Sequence, residues 1–238
     1  MLREPIGRSI VGADMRWLVL CALAAGCSDG KKFNDAAPDV TFTGEVVDWD
    51  STDANFCGVM GYTLTVHTDA SRTKMVTAPN GRFILPIAGG APTTRVDLTP
   101  PTSGSQCIAG NPTYAIPGLL IADASVMSAN GLYSARMITT TRAQSFYASL
   151  GGVDATKAQL FVHVDGTPRA VAISGSAGAP QAFDGTAWAA GATGVNVLFP
   201  NVDASSGSTM LTMTGTAVGT GAVPLVAGQF TYVSVIAQ

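Results

Sequence analysis

The side chains with the types and spacing to do chemistry fall in three places. Asp48-Trp49-Asp50-Ser51-Thr52-Asp53-Ala54-Asn55 sets three carboxylates and an amide oxygen close together, and hard oxygen ligands of that kind suit Ca²⁺. The spacing departs from an EF-hand loop: Thr52 stands where a ligand belongs, no glycine makes the sharp turn and no glutamate closes the loop. The stretch therefore reads first as a solvated β-turn, with calcium as the alternative. His67 and His163 each sit beside valine or threonine in a strand-like run, and both are expected on outward, solvated faces. Neither belongs to a His or Cys pair at zinc-ligand spacing, so no metal site is expected. Ile173–Pro180 is serine-rich but lacks a GxSxG elbow, and no phosphate loop or GxGxxG occurs. No catalytic residue and no cofactor is expected. The remaining candidates are Trp49 and Trp188, read as loop aromatics that either stack on a sugar ring or plug one end of a β-sandwich.

Composition narrows the function classes further. Charged residues make up 12% of the 238, aromatics 7%, and the formal net charge is −3. A nucleic-acid partner needs clustered Lys and Arg to displace phosphate counterions, whereas here the basic residues are scattered apart from Lys31-Lys32. Glu4 and Glu45 are the two glutamates, so the acidic load is nearly all Asp, placed where turns favour it.

The N-terminal part carries an address. Trp17–Gly26 is an apolar run of ten residues, about half of the ~20 needed to cross a bilayer as a helix, and Arg16 supplies a positive flank. Met15 is read as a possible true start, because Glu4, Pro5 and Asp14 do not suit a short basic leader. The run ends in Leu23-Ala24-Ala25-Gly26-Cys27, which resembles the lipobox of bacterial lipoproteins, with Ala24 standing where that family prefers Leu. The resemblance implies cleavage after residue 26 and lipidation of Cys27, with the membrane as a partner through that lipid; ordinary secretion and a buried helix with an incidental cysteine are the alternatives. Ser28, a residue other than Asp after the cysteine, points to the outer membrane under the same resemblance. Residues 28–39 read as a polar tether. With Cys21 in the leader and Cys27 acylated, Cys57 and Cys107 remain, and in an oxidising compartment they read as one disulfide, with two free thiols as the alternative.

Beyond Asp39, short β-type runs alternate with Gly, Pro, Asn and Asp. Tyr62, Leu64 and Val66 alternate with Thr63, Thr65 and His67, which marks a strand with one apolar face. Pro79-Asn80-Gly81 carries a hairpin signal. About 115 residues later the punctuation is echoed, Gly81 by Gly194 and Pro86 by Pro200, which suggests two small sandwiches in tandem. Thr139–Gly152 opens on threonines suited to an N-cap, carries apolar Ala143, Phe146, Tyr147 and Leu150 at helical spacing, and has Gly151 as a stop.

Thr77, Asn80, Gly81, Phe83 and Leu85 resemble the most typical piece of the carboxypeptidase regulatory-like, or transthyretin-like, β-sandwich, over residues 40 to 100 and more weakly over 158 to 238. That resemblance implies a non-catalytic module. The expected chain is mainly β: a leader (1–26), a tether (27–39), a first sandwich (40–113), a connector with a short helix (114–157) and a second sandwich (158–238). The expected role is a lipid-anchored structural or binding module of the cell envelope, with an envelope protein or a polysaccharide as partner. The alternatives are a carbohydrate-binding or adhesion module and a divergent hydrolase.

Overall fold

Where apolar residues alternate with polar ones, the chain forms strands with one wet face; where the run is continuously apolar, it forms strands buried on both sides. The computed structural model describes residues 38–101, 113–114 and 116–238. The leader, Cys27, most of the tether and Cys107 lie outside these residues. The described chain is mainly β, as expected, and Ala37–Gln238 packs as one unit.

The strands are β1 (Val40–Asp48), β2 (Thr63–Val66), β3 (Asp69–Met75), β4 (Arg82–Ile87), β5 (Thr93–Thr99), β6 (Gly118–Asp123), β7 (Tyr133–Met137), β8 (Ala158–Asp165), β9 (Val171–Ile173), β10 (Gln181–Phe183), β11 (Trp188–Ala190), β12 (Asn196–Val202), β13 (Ser208–Met213), β14 (Ala217–Val218), β15 (Gly221–Pro224) and β16 (Phe230–Ala237). Two helices, α1 (Ala124–Ser128) and α2 (Thr140–Ala148), flank β7.

Ten of these strands form one sheet, in the order β11-β10-β12-β8-β16-β6-β5-β2-β3, with β14 pairing beside β16. A three-stranded sheet β4-β1-β7 packs on one face and a second, β15-β13-β9, on the other. Strand parity shows the layering. In β6, Leu120 and Ala122 join the core shared with β1, β4 and β7, whereas Leu119 and Ile121 join the core shared with β9, β13 and β15. The same division separates Phe161 from Leu160 and Val162 in β8, and Phe230 and Tyr232 from Val233 and Val235 in β16. The large sheet is thus the middle layer of three. Its parallel pairs, β8 with β16 and β16 with β6, lie where both faces are covered, as parallel pairing favours.

Strand pairing draws the halves differently from the expected boundaries. β16, from the C-terminal half, inserts between β8 and β6, so β2, β3 and β5 share a sheet with β8, β10, β11, β12 and β16. The echo in sequence is not an echo in position: β4, which follows Gly81, pairs with β1 in a small sheet, whereas β12, which follows Gly194, runs between β10 and β8 in the large one. The Asn80-Gly81 turn forms, with Gly81 at φ +72° and its N–H donating to Ala78 O at 2.8 Å. It does not close a hairpin, because β3 and β4 belong to different sheets. A two-residue turn signal specifies a reversal of direction; which neighbour each strand then finds is decided by burial.

The expected helix forms as α2. The Thr139 hydroxyl accepts from Arg142 N at 3.1 Å, an N-cap worth about 1 kcal/mol, and Ala143, Phe146 and Tyr147 are buried against the core. No helix among the described residues is long and apolar enough to cross a membrane.

Candidate functional site

Pairing β1 and β7 in parallel places Glu45 beside Ser134 and Val47 beside Arg136. Phe42, Val46, Tyr133 and Ala135 take the inward positions of these strands, so period-2 alternation leaves Glu45, Ser134 and Arg136 on the opposite face. On the large sheet, register aligns His163 of β8, Asn196 of β12 and Phe183 of β10 in one row. Arg136 reaches across to that row, and the two surfaces enclose a cleft of about 380 Å³.

Arg136 is 9% exposed. Its Nη1 donates to the backbone oxygens of Ser51 (2.7 Å), Trp49 (3.1 Å) and Asp48 (3.4 Å). Its guanidinium carbon lies 4.3 Å from the centre of the Phe183 ring, a cation–π contact. The Asn196 amide is assigned with its oxygen toward Arg136 Nε at 3.0 Å, because this orientation satisfies every neighbour. Its nitrogen then donates to His163 Nδ1 at 2.9 Å and to Val195 O at 3.2 Å. An acceptor at Nδ1 places the proton of the neutral imidazole on Nε2.

The electrostatics follow from burial. Desolvation pulls the Arg136 pKa down to about 10 against the opposing carboxylates of Glu45, Asp48, Asp50 and Asp53, so the group stays charged at neutral pH. Desolvation also lowers His163 and favours the neutral ring. It raises Glu45, against the Ser134 hydroxyl, which donates to Glu45 Oε1 at 3.3 Å. Asp184 on the rim is different: the N–H of Ala187 and the hydroxyl and N–H of Thr186 all donate to Oδ1, which lowers it to about 2. Asp165 accepts from Leu132 N at 3.1 Å.

The residues singled out from sequence are dispersed. Asp48 is 7% exposed, and its carboxylate accepts from Asp50 N and from the Tyr114 hydroxyl, at 3.0 and 2.9 Å. Asp50 is instead clasped by Arg142, with two bonds at 2.7 and 3.0 Å. The carboxylates of this turn therefore serve separate partners, and among the described residues no group of three His, Cys, Asp or Glu is placed to hold a metal. Asp53 alone of the three lines the cleft.

Trp49 is fully buried and stacks on Trp188, with centroids 4.6 Å apart and planes 11° from parallel. Phe146 and Phe161 meet its edges at 5.2 and 5.8 Å. A ring so enclosed presents no face to a ligand, which corrects the ligand-facing reading of Trp49; the reading as a plug describes it. Trp188 is half-buried in β11 rather than in a loop. His67 is exposed and bonds Asp97 at 2.7 Å, on the outward face expected. His163 is not on such a face; it lines the cleft. Its run, Ala158–Asp165, lacks alternation, and that is the signal of a strand covered on both sides. Cys57 is disulfide-bonded; Cys107 lies outside the described residues. No protein-family model matches the chain, and no curated protein matches it significantly.

Proposed function

We propose that this chain is a lipid-anchored protein of the cell envelope, placed by its signals in the outer membrane, whose β body is a non-catalytic binding module. The observation that carries the anchor is Cys27 at the end of a ten-residue apolar run with small residues before it. Residues 1–26 act as the leader, Cys27 receives the lipid, and the following polar stretch tethers the body; a stable anchor needs more than one acyl chain. An exported location also suits a Cys57–Cys107 disulfide, and the disulfide-bonded state of Cys57 supports that pairing.

The carboxypeptidase regulatory-like reading is retained as a proposal for residues 40–100. Phe83 and Leu85, two of the positions that carry the likeness, point into the core. The second sandwich is then fused to the first through the central sheet, with β6 and β7 of the 114–157 segment built into the layers. The cleft between β7 and β8 is the binding surface.

The test is metabolic labelling with a clickable palmitate analogue, followed by membrane fractionation. Wild type is expected in the membrane fraction and labelled, and Cys27→Ser unlabelled and released. Unlabelled wild type in the soluble fraction would overturn the proposal.

A further inference from the structure

The cleft between β7 and β8 has more polar capacity than its own contacts use. Arg136 is nine-tenths buried, yet among the described residues only Nη1 and Nε have hydrogen-bond partners, which leaves Nη2 as an unused donor edge on a residue that lines the cleft. The Asn196 amide fixes the ring of His163, which lines the same cleft. Across from them, Glu45 accepts one bond, from Ser134, and has a second carboxylate oxygen to offer. The volume of about 380 Å³ falls in the range of small-molecule sites, about 300–1,000 Å³.

Charge decides among ligand classes. Glu45, Asp53, Asp165 and Asp184 line the cleft, so an anion meets four carboxylates. A cation meets Arg136, which is held at the cleft by three backbone oxygens and cannot withdraw. A hydroxyl both donates and accepts, so it matches a site that alternates fixed donors with a carboxylate. Phe56 at the mouth is 49% exposed and Leu132 is 38% exposed. An exposed aromatic ring beside planar polar groups gives the C–H face of a sugar ring an apolar surface to lie on.

We propose that the cleft formed by Glu45, Arg136 and His163, with Phe56 at its mouth, binds a neutral sugar unit of a polysaccharide. This rests on the binding-module half of the proposed function and is independent of the anchor. It moves the sugar-facing aromatic from Trp49 and Trp188 to Phe56.

The test is saturation-transfer NMR and calorimetric titration of the full detergent-solubilised chain with lactose, maltose, cellobiose and chitobiose, with putrescine and glucuronate as charged probes. At least one neutral disaccharide is expected to bind. Glu45→Gln and Phe56→Ala should each weaken it roughly tenfold, and Phe56→Trp should restore it. Both are surface or half-buried positions, and unchanged melting temperatures will show that the variants fold. Absence of binding by all four neutral probes overturns the proposal. So does binding of a charged probe alone, or sugar binding indifferent to both variants. Failure here with palmitate labelling intact removes the sugar and leaves the anchor; loss of the label with sugar binding intact does the reverse.

Discussion

Replacing Arg136 with methionine keeps an unbranched stem between the sheets and deletes the guanidinium. The deletion strips a charged donor from the carbonyls of Trp49 and Ser51, at 3.1 and 2.7 Å, and from the Asn196 oxygen at 3.0 Å. It also removes the contact with the Phe183 ring. Each orphaned acceptor costs about 1–3 kcal/mol when buried. Against this, methionine relieves the desolvation that pulls the arginine pKa down to about 10. Breaking a buried charge network by removing one partner typically nets about 3–5 kcal/mol, a large share of the ~5–15 kcal/mol that holds a domain together. With a urea m-value of about 2 kcal/mol/M, the midpoint of Arg136→Met should fall by roughly 2 M. Equilibrium urea unfolding followed by circular dichroism measures it. A shift below about 0.5 M at unchanged m would show that Arg136 is not the strut between β7 and the large sheet.

Other outcomes follow from the same geometry. Gly81→Ala places a Cβ 1.9 Å from Val46 O at φ +72°, so it should cost about 2–4 kcal/mol in thermal melts. His163 is held below its ordinary value of 6.5, so the unfolded chain takes the proton first and stability is lost as pH falls from 6.5 through the folded value. Subtracting the profile of His163→Gln from that of wild type should leave that acid-side slope, and a flat difference would contradict the buried neutral ring. Glu45 and Asp48 are raised, so their contribution is complete below their unfolded values and declines as pH rises through the folded ones; Glu45→Gln should remove part of that decline. Because β16 joins β8 to β6, hydrogen exchange protection in β5 and in β12 should be lost in one transition rather than two.

Much of the local structure is legible in the sequence. Leu64 and Val66 against Thr63 and Thr65 report which face of β2 is covered, and Thr139 with the Ala143–Phe146–Tyr147 spacing marks α2. Alternation tells a strand which side is wet but not which strand lies beside it. For that reason the Asn80-Gly81 turn is readable while the departure of β4 to another sheet is not. The cleft shows the same limit. Glu45, Arg136, His163 and Asn196 come from β1, β7, β8 and β12 and share no motif; only the parallel register of β1 with β7 and the row across β8 and β12 assemble them. Trp49 is ambiguous in the sequence, as ligand platform or plug, because a turn-rich neighbourhood, Asp48–Asn55, surrounds a ring that the fold turns inward.

The most direct test of the account is the mass of the N-terminal peptide of the protein purified from cell membranes. The account requires that peptide to begin at Cys27 and to carry a diacylglyceryl group on sulfur. A peptide that begins upstream of residue 27, or an unmodified Cys27, would contradict it.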